Sequence, residues 1–120
     1  MKTLHEIQEF ELQIEQDDNV ETSLAHLFKS LGGRDGEDHL YRCLVQLFTN
    51  ELSTQCSWFG QRGNYKIKDL NAIKILTESI ISSHLSISCA DIEKYAGEWF
   101  RLSRQRLNRE MNKKKDAETQ

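Results

Sequence analysis

The chain has 120 residues, 38% of them hydrophobic and 29% charged, with a formal net charge of −3 and no proline. That length supports one domain with its own core, and the balance is that of an ordinary globular protein. No apolar run approaches the roughly 20 residues needed to cross a bilayer, the opening residues carry no apolar signal-like stretch, and an odd set of three cysteines fits a reducing, intracellular compartment rather than a disulfide framework.

The charge is unevenly placed. Residues 1–60 carry a balance of −7 and residues 61–120 a balance of +4. Two readings follow. The halves neutralise each other across the fold or between subunits, or the later half presents a basic face to nucleic acid.

In chain order, Leu4, Ile7, Phe10 and Ile14 recur at helical steps, which predicts an amphipathic first helix over residues 3–16. Glu6, Glu9, Glu11 and Glu15 make its other face acidic, with Glu11 also a charged residue at one seam position between Ile7 and Ile14, and Asp17-Asp18-Asn19 ends the helix and caps the next. Val20, Leu24, Leu27, Phe28 and Leu31 predict a second helix, stopped by Gly32-Gly33. After the turn-like Arg34-Asp35-Gly36, Leu40, Leu44, Leu47, Phe48 and Leu52 predict a third.

The longest break between helical patterns is residues 56–66, where three aromatics, two glycines and two basic residues gather around Trp58, Phe59, Gly60, Arg62 and Gly63. That composition suits a loop of specified structure and a recognition role. Tyr65-Lys66-Ile67-Lys68 alternates and fits a very short strand or extended chain. Leu70, Ile73, Leu76 and Ile80 predict a fourth helix ending near Ser83-His84. Ser88-Cys89-Ala90-Asp91 resembles a capping box with Asp in place of Glu or Gln. It opens a fifth helix with Ile92, Tyr95, Ala96, Trp99 and Leu107 on one face. The charged residues 111–120 read as a disordered tail. The expectation is therefore an all-α, compact bundle of about five helices with a Gly/aromatic loop between helices 3 and 4. It is a single domain over residues 1–110, whose core spans 18–107.

Several short strings in this order carry a family resemblance: Ser30-Leu31-Gly32-Gly33-Arg34-Asp35, Leu47-Phe48-Thr49-Asn50-Glu51-Leu52, Ser57-Trp58-Phe59-Gly60 with Gly63, Ala90-Asp91-Ile92-Glu93 and Trp99-Phe100. Together with the acidic first helix they resemble domain of unknown function 4806, known chiefly from insect proteins, over roughly residues 3–107. The ordering is also distantly similar to BEN domains, helical modules that bind DNA or partner proteins, often as dimers. The resemblance implies a nuclear or chromatin-linked setting and supplies no catalytic residue. A lysine often follows the second loop glycine in the family, and Asn64 stands there in this chain.

The remaining constellations are weighed on their chemistry. His39 and Cys43 share a helix face and could offer two zinc ligands. The plainer reading is a core or boundary cysteine beside a surface histidine, because His26, Cys56, His84 and Cys89 lack ligand spacing. No motif sets a thiol beside a base, and Gly60-Gln61-Arg62-Gly63 is too short for a phosphate-cradling loop. The chain is thus read as non-enzymatic, with no cofactor, metal or small-molecule substrate.

On the fifth helix Lys94, Arg101 and Arg104 share an arc opposite Ile92 and Trp99, with Arg109 beside it. Arg62, Lys66 and Lys68 extend it from the loop. These seven are the candidate nucleic-acid contacts, against the plain reading of a solvated face. Leu4, Ile7, Phe10 and Ile14, with Trp58 and Phe59, are the candidate protein interface, against the reading that they pack on their own domain. The leading expectation is a self-associating, homodimeric protein-interaction module of a nuclear protein, a location that Lys113-Lys114-Lys115 also favours. The alternative is BEN-like DNA binding through the basic last helix and the Arg62–Lys68 loop.

Overall fold

Each early helix starts where a short polar side chain can satisfy its free amides. The computed structural model describes the backbone of residues 1–119 and the side chains of residues 1–117. Thr3 caps α1 (Leu4–Gln16), Asp17 caps α2 (Asp18–Leu31) and Asp35 caps α3 (Gly36–Leu47), each side-chain oxygen accepting a backbone N–H of the first turn. The third apolar stripe does not form one helix. Phe48 and Thr49 are extended, and a short α4 (Asn50–Ser53) restarts under the Thr49 hydroxyl. This break buries the Phe48 ring, which meets Phe100 edge to face at 5.4 Å between centroids.

Two-residue strands β1 (Cys56–Ser57) and β2 (Tyr65–Lys66) pair in parallel, with Cys56 opposite Tyr65 and Ser57 opposite Lys66. A 3-10 turn at Gln61–Gly63 lies between them. Next come α5 (Asn71–Ser83), α6 (Cys89–Arg101) and α7 (Ser103–Thr119). The capping box at α6 is complete: the Ser88 hydroxyl accepts from Asp91 N and the Asp91 carboxylate accepts from Ser88 N.

The all-α expectation therefore stands in its broad form, with two corrections. There are seven helices among the described residues rather than about five, because the third and fifth stripes each break, the latter at Leu102. The segment expected to be a disordered tail continues α7 to Thr119, as its lack of glycine and proline and its Lys, Glu and Ala residues allow. Its residues 111–117 are exposed, and Gln120 lies outside the described residues.

α5 is the central helix, packing against α1, α2, α3 and α6. Ile7, Phe28, Leu40, Leu44, Leu52, Ile67, Leu76, Ile80 and Ile92 are fully buried around it. At about 1.5–3 kcal/mol per large side chain, this one cluster dominates the stability. It draws on every major helix up to α6.

Candidate nucleic-acid interface

The loop after β1 turns through a full circle in seven residues (58–64) and rejoins the parallel pair, with Tyr65 N–H on Gln55 O at 2.9 Å and Ile67 N–H on Ser57 O at 3.1 Å. So tight a path uses positive φ at Gly60 (75°), Arg62 (56°) and Gly63 (75°). The glycines adopt this freely. At Gly60 a side chain would also lie 3.0 Å from the Lys66 Cβ. Arg62 has a Cβ, and its left-handed backbone costs about 1–2 kcal/mol. The Ser57 hydroxyl steadies the turn by accepting Gln61 N–H at 2.9 Å.

Trp58 fixes the loop to α6. Its indole is buried, and Nε1–H donates to Glu93 at 3.1 Å. That bond, followed by those from Lys68, holds the Glu93 carboxyl below its ordinary range. Phe59, next in sequence, is 52% exposed, and the Lys68 ammonium stands 5.2 Å from its ring centroid.

Between this loop and the α6–α7 junction lies a groove of about 890 Å³. Trp58, Phe59 and Phe100 contribute aromatic surface, and Arg62, Lys94, Arg101 and Arg104 contribute positive charge. Its two carboxylates are engaged. Glu93 accepts from Trp58 and meets Lys68 at 3.4 Å, and Glu98 takes both Nε and Nη2 of Arg101, at 2.9 and 2.5 Å. The fork from Arg101 pushes the Glu98 pKa down, and the carboxylate pushes that of Arg101 up. Arg62, Lys94 and Arg104 make no ion pair among the described residues. Cations around an aromatic lip suit phosphates and stacked bases.

Four of the seven expected nucleic-acid contacts thus meet in one groove. The other three do not. Lys66 pairs with Asp69 at 2.8 Å, Lys68 lines a separate depression beyond Trp58, and Arg109 lies outside the groove wall. Arg106, absent from the expected set, is structural. Its guanidinium stacks 3.8 Å over Trp99 and donates to the Trp99 carbonyl and to Asn50 Oδ1. Burial lowers its pKa to about 10; a guanidinium stays charged at neutral pH.

The expected protein interface is corrected more heavily. Ile7 and Ile14 are 1% and 5% exposed and belong to the core, while Leu4 and Phe10 are half-buried against it. Ile7 and Ile14 are thus spent on their own domain, while Phe10 keeps part of its ring at the surface. Trp58 is a core anchor, which leaves Phe59 as the exposed member of the set.

His39 and Cys43 both turn to the Phe28 carbonyl oxygen, at 2.7 and 3.9 Å, and the other ring nitrogen of His39 meets His84 Nε2 at 2.9 Å. His39 is therefore a buried, satisfied histidine rather than a surface one. Burial pushes the Cys43 and Cys56 thiols up to about 12 and about 11, so neither is a ready nucleophile. Among the described residues no group of three or more His, Cys, Asp or Glu is placed to hold a metal ion.

Sequence spacing had no means of finding Glu93 as the anchor of Trp58, since the two stand 35 residues apart. Glu11 carried a signal. It falls on the apolar stripe of α1, four residues after Ile7 and three before Ile14, and it caps α5 through Asn71 N and Ala72 N.

The model of the family described as a domain of unknown function, DUF4806, matches residues 1–83. No curated protein and no solved structure matches the chain.

Proposed function

We propose, for a chain that belongs to the DUF4806 family, a non-enzymatic nucleic-acid-binding domain that grips the phosphate backbone in the groove between the Trp58 loop and the α6–α7 junction. One observation carries the reading: Arg62, Lys94 and Arg104 converge there without an ion pair among the described residues, beside Arg101 and the exposed Phe59 ring, while the groove's Glu93 and Glu98 are engaged by Trp58, Lys68 and Arg101. Phosphate contacts need cations at loose spacing and pay little for exact geometry. Glu93 and Glu98 stay ionised as holders of Trp58, Lys68 and Arg101, so they are poor proton donors for catalysis. A nuclear setting fits this role, in keeping with the BEN-like ordering and the Lys113-Lys114-Lys115 run.

The test is fluorescence anisotropy on a mixed-sequence duplex across salt. The triple variant Arg62→Ala, Lys94→Ala, Arg104→Ala is compared with Lys66→Ala, whose ammonium is already paired outside the groove. We expect the triple variant to weaken binding and to flatten the salt slope by about one unit per lost contact, while Lys66→Ala changes neither. An unchanged slope in the triple variant removes this groove from consideration.

A further inference from the structure

Outside Lys115 and Asp116, no ion pair among the described residues joins residues 1–60, at −7, to residues 61–120, at +4. Those two residues aside, the opposite charges of the halves remain open to contact between molecules.

The acidic half also carries an apolar groove. Two adjoining depressions of about 360 and 390 Å³ between α1 and α2 share Phe10, Leu24 and Leu27, and Val20 lines one end. Leu27 is 42% exposed. The charged groups on the wall are Glu6, which accepts Lys2 N–H, Glu9, which meets His5 at 3.0 Å, and the Met1 ammonium, which donates to the Leu47 carbonyl at 2.7 Å; among the described residues Lys and Arg are missing from it.

The basic half supplies a matching element. α7 is a 17-residue helix, and the side chain fastened closest to its middle is Glu110, held by Asn50 at 3.0 Å. Beyond it residues 111–117 are exposed. A helix with so little apolar contact of its own gains stability from a partner. Met111 is 59% exposed, and Leu107 and Lys114 lie on its side of the helix, four before and three after. Apolar residues at that spacing, flanked by cations, fit the helix-in-groove mode.

We propose that the α1–α2 groove receives α7 of a second copy of this chain, with Met111 against Phe10 and Leu27 and Lys114 toward Glu6 and Glu9. The exchange is reciprocal, so that it closes as a dimer. This surface is separate from the Arg62 groove, and the two readings fail independently.

Sedimentation equilibrium of the full 120-residue chain tests it, alongside Leu27→Glu and Met111→Glu, both at exposed positions. We expect a dimer weakened at least about tenfold by either change, with the helical circular dichroism and the melting curve of the monomer unaltered. Glu9→Lys and Lys114→Glu should each weaken it, and the two together should restore part of the loss. Higher salt should loosen it. Duplex binding by Leu27→Glu, measured in excess salt-matched buffer, should equal that of the wild type per monomer. A wild-type monomer at every concentration overturns the proposal, as does a dimer indifferent to Leu27→Glu. A dimer lost in Leu27→Glu but intact in Met111→Glu seats some other segment in the groove, and overturns the assignment of α7. If Leu27→Glu fails to fold, Met111→Glu and the charge pair decide the matter alone.

Discussion

Glu93 does more for the candidate site than any of its cations, because it holds Trp58 and through Trp58 the whole loop. Its carboxyl sits below the ordinary value of 4.5, first through the indole N–H and then through Lys68. A depressed acid contributes its stabilisation above the unfolded value and loses it as pH falls through the folded one. The window therefore opens at 4.5 and lies below it. We expect the Trp58 indole N–H resonance to stay fixed from neutral pH down to 4.5 and to shift below it, and the step to be missing in Glu93→Gln. A shift centred at or above 4.5 would mean that the indole does not favour the charged carboxylate. Arg106 makes the converse point. A cation that reads from the sequence as one more basic residue of the last helix is taken up by Trp99 and Asn50. Counting charges along a helix cannot tell these cases apart, because burial is decided by residues on other helices.

At the scale of elements, Glu11 joins α1 to α5. Leu70, at the N-cap of α5, has no side chain able to bond the first amides. The Glu11 carboxylate takes that place from another helix, with Asn71 N at 2.5 Å and Ala72 N at 3.0 Å. Such a bond combines capping with a charge at the positive end of a helix. Glu11→Ala should cost about 1–2 kcal/mol, and Glu11→Gln, which keeps one acceptor, less. Urea denaturation reads this as a shift of midpoint at constant slope, with faster hydrogen exchange at Asn71 and Ala72. A change within about 0.5 kcal/mol, the range of an ordinary surface substitution, would show that α5 does not depend on the bond. Glu11 was partly legible, as a charge standing in an apolar stripe. The breaks at Phe48 and Leu102 were not. Leu44, Phe48 and Leu52 keep their spacing of four straight through the first, and neither break has a glycine or proline to mark it. The helices that were legible are those whose apolar spacing and polar caps agree, as at Asp17 and Ser88.

At the scale of the whole molecule, the family match and the physical domain end at different places. The match stops at residue 83, the last residue of α5. The core does not, because α6 buries Ile92, Ala96, Trp99 and Phe100, and Phe100 closes over Phe48. Burying each of the three large side chains is worth about 1.5–3 kcal/mol, a total comparable to the whole stability of about 5–15 kcal/mol of an ordinary domain. A chain of residues 1–83 should therefore show helical circular dichroism at most, without a cooperative melt or dispersed amide resonances. A chain of residues 1–110 keeps α6, the Arg106–Trp99 stack and the Asn50–Glu110 bond. It should melt within a few degrees of the full chain when both are monomeric. The same pair of chains separates stability from association, because 1–110 lacks Met111 and Lys114 and should be the weaker dimer. A cooperative melt from residues 1–83 would show that α1 to α5 suffice, and that α6 and α7 are an appended binding element rather than part of the core.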